Sequence, residues 1–241
     1  MLLQENLWDA MAVKQDGGDD VMAMSYYPKE GNPLWEEHST RAVAQTLRTY
    51  SKYTIPYPYP KAISVNAKQI GMEYPMICWN YGRPDENGEY SDRVKYGMIS
   101  VIIHEVGHNF FPMIVNSDER QWGWMDEGIN TFVQYVAEQD FGENYPEAIA
   151  PNAKYPSRRG APSAITGYMG GNQDFIAPIM SNPENVYQLG NNAYGKPATA
   201  LNILRETVMG RELFDYSFKT YAQRWMFKHP TPEDFFRSME D

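Results

Sequence analysis

The sequence predicts an α+β fold, with a small mixed β-sheet and one helix in residues 1–94 and a mostly helical lobe in residues 95–241. Short β-type runs such as VMAMSYY (21–27) and AISVNA (62–67) occur in the first part of the chain. From about residue 95, apolar residues instead recur at helical spacing. A chain of 241 residues is long enough for both lobes to belong to one large domain.

The first lobe begins with the strand at 21–27, and a helix is expected to follow. Asn32 is a plausible N-cap and Pro33 suits the first helical position. The helix is expected to continue to about residue 53, because Leu34, Ala42, Val43 and Leu47 recur at roughly helical spacing. After it we expect an extended proline-rich segment, two strands and a polar loop, at 54–61, 62–67, 73–82 and 83–93.

The second lobe has three well-marked helical stretches. KYGMISVIIHEVGHNFF, from residue 95, is the first, and RQWGWMDEGINTFVQYVAEQ opens the second. Near the end of the chain, Thr231 is the predicted N-cap of a third helix, with Pro232 at its first position and Asp234 three residues after the cap.

Composition excludes several classes of protein. The formal net charge of −10 argues against a nucleic-acid partner, and the only cysteine, Cys78, excludes a cysteine-rich zinc finger or an intrachain disulfide. No apolar run is long enough to span a membrane. The stretch MLLQENLWDA lacks the basic and apolar regions of a signal peptide. We expect a soluble protein of unknown compartment, and an exported parent protein stays open.

The stretch HEVGH contains two of the four histidines of the chain, His104 and His108. On a helix these imidazoles lie one turn apart on the same face and can bind one Zn²⁺. Glu105 points about 100° away around the helix, where it can reach a water on the metal rather than the metal itself. The alternative is a pair of histidines packed on a core helix.

A catalytic zinc site needs a third protein ligand and an open position for water. Glu127, with 18 residues between it and His108, lies in the first turn of the next predicted helix. It is the candidate third ligand. The alternative is an acidic residue that interacts favourably with the dipole of its own helix.

These motifs resemble the aminopeptidase N family of zinc peptidases, in the gluzincin clan. The resemblance rests on HEVGH followed by the glutamate of WMDEGIN, on PYPYPK (56–61), on GMEY (71–74) and on YGKPATALNIL (194–204). GMEY is similar to the exopeptidase motif of that family, although Ile70 replaces its first glycine and Tyr74 its asparagine. After the second histidine, Pro112 and Met113 also depart from the family pattern.

The resemblance implies a thermolysin-like catalytic domain with one Zn²⁺ per chain, held by His104, His108 and Glu127. Glu105 would take a proton from the metal-activated water and pass it to the leaving amine. The resemblance further implies that Tyr194 stabilises the oxyanion and that GMEY binds the substrate. Its members Glu73, Met72 and Gly71 would contact the α-ammonium group and the first side chain of a peptide.

The implied function is an aminopeptidase that acts on peptides with a free N-terminus. A thermolysin-like endopeptidase, an epoxide hydrolase of the same fold and a non-catalytic binding module remain alternatives. Full-length relatives carry flanking domains that this chain lacks, so we expect contacts with missing domains of a parent chain. We also expect this piece to bind zinc but to cleave peptides poorly.

Overall fold

The computed structural model describes residues 6–15 and 17–240, so residues 1–5 of the stretch inspected for a signal peptide lie outside the described residues. The chain divides into two compact units. The first comprises residues up to 52, 56–109 and 137–156, and the second comprises 53–55, 110–136 and the residues from 157 onward. Each unit is described by itself.

A mixed five-stranded sheet lies in the first unit, with strand order β1-β2-β3-β5-β4. The central pairs β2–β3 and β3–β5 are parallel, and the outer pairs β1–β2 and β4–β5 are antiparallel, which confirms the predicted mixed sheet. The strands are β1 (Asn6–Val13), β2 (Val21–Pro28), β3 (Lys61–Asn66), β4 (Met72–Tyr74) and β5 (Ile77–Asn80).

Two features of this sheet differ from the prediction. The strand predicted over 73–82 is a hairpin of β4 and β5, because the chain turns at Met76, which has a φ of 65°. Pro75, directly before it, has no N–H for a ladder hydrogen bond. Strand β1 was not predicted, and its exposed Trp8 obscures the alternation that marks a half-buried strand.

The helices begin close to their predicted positions, but the predicted cap of α1 does not form. In α1, the carbonyl of Pro33 accepts the N–H of Glu37 at 3.1 Å. Asn32 Oδ1 makes no hydrogen bond within the described residues, so the predicted Asn32 cap is wrong. Helix α2 begins at Asp92, where Ser91 Oγ accepts the N–H of Val94 at 3.3 Å. The helices are α1 (Leu34–Tyr53), α2 (Asp92–Gly107), α3 (Ile129–Asn144), α4 (Ala164–Gly170), α5 (Lys196–Ile203), α6 (Arg211–Trp225) and α7 (Pro232–Glu240).

One face of the sheet packs against α2. Cys78 of β5 is buried on this face, and its thiol donates to the carbonyl of Glu105 at 3.1 Å. Glu73 is opposite Cys78 in the β4–β5 ladder, so the alternation of the strand directs Glu73 to the same face and Met72 to the other. The sheet thereby aligns its last strand with the helix that carries both histidines.

The second unit has an aromatic core. The ring of Phe132 lies 5.3 Å from that of Phe214 and 5.7 Å from that of Phe218, and Tyr221 and Phe235 meet edge to face at 4.9 Å. Burial of these large rings stabilises this unit.

The last helix, α7, begins as predicted. Thr231 Oγ1 accepts the N–H of Asp234 at 3.4 Å, and Asp234 Oδ2 accepts the N–H of Thr231 at 2.9 Å. This reciprocal pair satisfies donors at the start of the helix.

Residues 145–195 are less helical than predicted. They contain α4 and short 3-10 or π-helical turns, and six prolines interrupt the segment. Among the described residues, no helix combines the length and hydropathy that crossing a membrane requires.

Candidate metal centre

Helix α2 brings His104 and His108 together. Their Nε2 atoms are 3.0 Å apart, and the rings meet edge to face with centroids separated by 4.5 Å. This follows from the four-residue spacing, which stacks two side chains on one helix face. His108 is buried and His104 half-buried. Two imidazole nitrogens this close can share one proton or one cation.

Glu105 lies beside this pair and is 6% exposed. The backbone of Gly71 lies directly against its side chain. A Cβ atom at position 71 would be 2.5 Å from Glu105 Oε1 and 2.7 Å from Cγ2 of Val101. Position 71 therefore requires glycine for this close approach, and the structure brings the predicted Gly71 next to the predicted base.

Glu73 approaches the same group of side chains. The potential ligand atoms of Glu73, Glu105 and His108 all lie within 4.8 Å of one another. Two carboxylates at this range repel each other, so the arrangement attracts a cation. Met72 is not part of this group: it is paired with Trp79 on the opposite face of the sheet and is 38% exposed.

Asn109 is a functional candidate that sequence reasoning missed. Its Oδ1 accepts the N–H of Met76 at 2.6 Å, and its Nδ2 donates to the carbonyl of Val106 at 3.2 Å. The amide thus joins the β4–β5 turn to the end of α2 and fixes Glu73 relative to His108. The available signal was a polar residue, 1% exposed, between HEVGH and two phenylalanines.

Cys78 is not among the side chains of the described residues whose potential ligand atoms cluster here. Burial raises the pKa of the Cys78 thiol to about 12, with a smaller contribution from the charge of Glu105. The thiol is therefore protonated at neutral pH and is a poor metal ligand.

Glu127 and Tyr194 meet in the second unit. Each lies in a π-helical turn, Trp124–Gly128 and Gly190–Gly195 respectively, a backbone form that is frequent at functional sites. Both side chains are half-buried, and they share a hydrogen bond. Burial raises the pKa of Tyr194 well above its usual range, and the negative charge of Glu127 raises it further. The phenol therefore keeps its proton and remains a hydrogen-bond donor.

The two π-helical turns approach closely at Gly128. A Cβ atom there would collide with the ring of Pro197 and would lie 2.8 Å from the carbonyl oxygen of Ala193. Only a residue without a side chain permits this contact. Glycine at 128 therefore sets the separation of Glu127 and Tyr194.

Arg159 is a second residue that sequence reasoning missed. Its guanidinium carbon lies 4.8 Å from the ring centroid of Tyr194. It lies in an irregular segment with no hydrophobic periodicity, so neither spacing nor motif indicated it.

Residues 38–241 match the family described as the peptidase family M1 domain, which covers most of the chain. The chain belongs to peptidase family M1. This confirms the resemblance to zinc aminopeptidases, and the M1 match identifies the chain as a metallopeptidase domain.

Curated M1 relatives share limited identity with the chain. Endoplasmic reticulum aminopeptidase 1 of Mus musculus is 23% identical over 226 residues, which are 84% of this chain and 22% of that protein. Aminopeptidase N of Lactococcus lactis is 21% identical over 198 residues, which are 79% of this chain and 22% of that protein. The chain spans about a fifth of the length of these relatives.

The M1 fold is also seen in solved structures. The crystal structure of an M1 zinc metallopeptidase from Deinococcus radiodurans superposes with a TM-score of 0.68 at 17% identity. The superposition covers 98% of this chain and 48% of that structure. At this identity the similarity demonstrates a shared fold, and it confirms the predicted α+β class.

Proposed function

We propose that this chain is the catalytic domain of an aminopeptidase that hydrolyses the first peptide bond of peptides with a free N-terminus. The single observation that carries the proposal is the convergence of Glu73, Glu105 and His108, because it joins an amine-binding carboxylate to the hydrolytic motif. Membership of family M1 and the names of its relatives support it.

Zinc is the proposed cofactor, and the residues fit it. Ligand nitrogens at the usual Zn–N distance on one tetrahedral ion are about 3.3 Å apart, close to the 3.0 Å between the two Nε2 atoms. His104, His108 and Glu127 offer the ligand types of a catalytic site, two imidazole nitrogens and a carboxylate oxygen. Bound zinc would supply Lewis acidity to the scissile carbonyl and to a water molecule.

Glu105 is proposed as the general base and then the general acid. Its carboxylate follows a proposed ligand directly in the chain and lies close to the backbone of Gly71. It would accept a proton from the attacking water and deliver it to the departing amine nitrogen. Burial of Glu105 limits the number of positions that its carboxylate can occupy, which favours proton transfer along one path.

Glu73 is proposed to bind the α-ammonium group. An ammonium ion placed by Glu73 and Glu105 would offset the repulsion between their carboxylates. A charge-assisted hydrogen bond from the ammonium to Glu73 would fix the peptide so that its first peptide bond meets the base. The backbone of Gly71 would line the same position, and the side chain of Met72 is left out of this role.

Tyr194 is proposed to donate its phenolic hydrogen to the carbonyl oxygen as negative charge develops there. In the present structure this hydroxyl is paired with Glu127. The phenolic O–H would turn from Glu127 to the carbonyl oxygen as the charge develops there.

The decisive experiment changes Glu73→Gln and compares aminoacyl chromogenic substrates with their N-acetylated analogues. We expect kcat/KM for the free amines to fall at least about tenfold more than for the blocked compounds, because a charge-assisted hydrogen bond is lost. Glu86→Gln, in an exposed loop, is the matched control. Equal losses on both substrate classes would instead favour an endopeptidase.

Metal analysis separates the enzyme from a non-catalytic binding module. We expect about one zinc per chain in the purified protein, with activity lost on chelation and restored by added zinc. Full zinc occupancy without turnover of any peptide substrate, in this chain and in a longer parent chain, would favour the binding module.

A further inference from the structure

A cationic side chain covers one face of Tyr194. The Arg159 guanidinium lies over the phenol ring with its carbon 4.8 Å from the ring centroid, a geometry typical of a cation–π interaction. Arg159 is itself exposed. A positive charge is therefore held beside the residue proposed to contact the scissile carbonyl.

The backbone next to Arg159 is held in place. Gly160 is buried, with a φ of +89°, and a Cβ atom there would lie 2.8 Å from Cβ of Tyr135. Its carbonyl accepts a hydrogen bond of 2.7 Å from Nδ2 of Asn202, which is 2% exposed. The chain is thus anchored directly after Arg159, and the position of the guanidinium does not depend on the ring contact alone.

The N–H groups of Arg159 are available to an acceptor from outside the chain. Over residues 6–15 and 17–240, Arg159 makes no hydrogen bond or ion pair, so the ring contact uses its face and leaves its edge available. Arg205 shows the contrast: its nitrogens bind Asp215 at 2.6 and 2.8 Å. In a chain with 31 acidic residues, an arginine fixed beside a functional residue without a carboxylate partner is suited to an external anion.

We propose that Arg159 binds a carboxylate on the part of the peptide that follows the scissile bond, an inference that rests on the proposed function. The amino end of the substrate carries an ammonium group, which a guanidinium repels and which Glu73 is proposed to bind. The favourable partner is therefore on the leaving side. A carboxylate there is either the C-terminus of a short peptide or an acidic side chain, and both offer the planar acceptor that matches a guanidinium.

Three ligands with a common N-terminal residue distinguish these sources. They are alanyl-alanine, alanyl-alanine amide and alanyl-aspartic acid α-amide, which carry a C-terminal carboxylate, no carboxylate and a side-chain carboxylate respectively. Their dissociation constants are measured by calorimetry in a Glu105→Gln background, which removes the proposed base and slows hydrolysis. Binding is thus measured with little turnover.

We expect at least one carboxylate ligand to bind about tenfold more tightly than alanyl-alanine amide, as for a charge-assisted hydrogen bond near solvent. Arg159→Gln is expected to abolish that preference and to leave the affinity for the amide within about twofold. Arg158→Gln is the matched control, because Arg158 is the exposed neighbour and makes no ring contact among the described residues. It is expected to keep the preference.

Two results would overturn the proposal. One is equal affinity for all three ligands before any change at Arg159. The other is an equal loss for the amide and the carboxylates in Arg159→Gln, which would mean that Arg159 only positions the ring of Tyr194. Failure of the aminopeptidase proposal would be detected separately, because kcat/KM for free-amine substrates would then be unchanged in Glu73→Gln.

Discussion

Two helical segments supply the proposed zinc ligands, and their backbones differ. His104 lies in the last turn of α2 and His108 is the C-cap of that helix, so helical geometry stacks them one turn apart. Glu127 lies in a π-helical turn, and so does its hydrogen-bond partner Tyr194. The histidine pair depends only on the local period of one helix. The carboxylate and the phenol depend on the packing of two irregular turns.

The difference predicts which kind of substitution disturbs α2 and which kind disturbs the π-helical turns. In α2, a substitution away from the two histidines leaves their spacing intact, because the helix sets it. In the π-helical turns, the contact at Gly128 sets the separation, so a single added methyl group can disturb it. We therefore expect chemistry-removing changes to have the largest effects in α2 and packing changes to act most strongly on the π-helical turns.

The largest effect is expected for Glu105→Gln, which removes the base while keeping the regular helix. The value of kcat should fall about 10²–10⁴-fold, the usual contribution of general acid–base catalysis. Zinc content, measured by metal analysis, should stay at about one per chain. Loss of zinc in this variant would show that Glu105 also supports the ligands of α2.

The next largest effect is expected for Tyr194→Phe, in the second π-helical turn. Removing one oxyanion donor lowers kcat about 10²–10³-fold, so KM should change little while kcat falls. Steady-state kinetics measure both quantities. Tyr187→Phe, at a position 50% exposed, is the matched control. A loss below threefold would rule out the proposed oxyanion role.

A packing change tests the contact between the two π-helical turns. In Gly128→Ala the new methyl group collides with Pro197, so the turns must separate. We expect the free energy of unfolding to fall by about 1–3 kcal/mol, the usual cost of overpacking. Activity should fall as well, because Tyr194 moves relative to Glu127.

Denaturant titration and steady-state assays of Gly128→Ala give these two quantities. Gly167→Ala is the control: it lies in α4, and a Cβ atom there would meet nothing within 4 Å. Its unfolding free energy should be unchanged or slightly higher. Equal behaviour of the two variants would contradict the packing argument.

The smallest effect is expected for the pH dependence of stability at His38, which lies in neither α2 nor the π-helical turns. Burial lowers the pKa of His38 to about 4, against an ordinary value of 6.5. The unfolded chain therefore binds this proton more strongly, and the stabilisation is present above pH 6.5 and lost as the pH falls towards 4. The free energy of unfolding should be about 2 kcal/mol lower at pH 5 than at pH 7 from this group alone.

His38→Leu isolates that contribution, since other groups titrate in both proteins. Its unfolding free energy, measured by denaturant titration at the two pH values, should fall less than that of the unaltered chain. His229→Gln, at an exposed position, should retain the full slope. An unchanged slope in His38→Leu would assign the pH dependence elsewhere.

The parts of the fold that were predictable from sequence are those with a local physical cause. The helix carrying HEVGH and the Thr231 cap follow from periodicity and from side-chain hydrogen bonds within three residues. The β4–β5 hairpin was missed because its turn needs Met76 at positive φ, which Asn109 stabilises from a position 33 residues away.

The residues of the candidate site also divide into those with a local sequence signal and those without one. Spacing and motif indicated the histidines, Glu105, Glu73 and Glu127. Asn109 and Arg159 act through contacts distant in sequence, and the sequence offers only a weak signal for Asn109, a polar residue before two phenylalanines, and none for Arg159. The π-helical form around Glu127 and Tyr194 was equally hidden, because it arises from close contact at Gly128 rather than from the propensities of the residues concerned.

The single sulfhydryl of the chain makes a ready reporter of opening. Cys78 of β5 is 1% exposed, and its thiol faces the carbonyl of Glu105 in α2. A thiol-specific dye therefore reacts only in molecules whose α2 has lifted from the sheet. The labelling rate at increasing denaturant concentration would report how readily α2 separates from the sheet, without any engineered cysteine. Bound metal should lower this labelling rate.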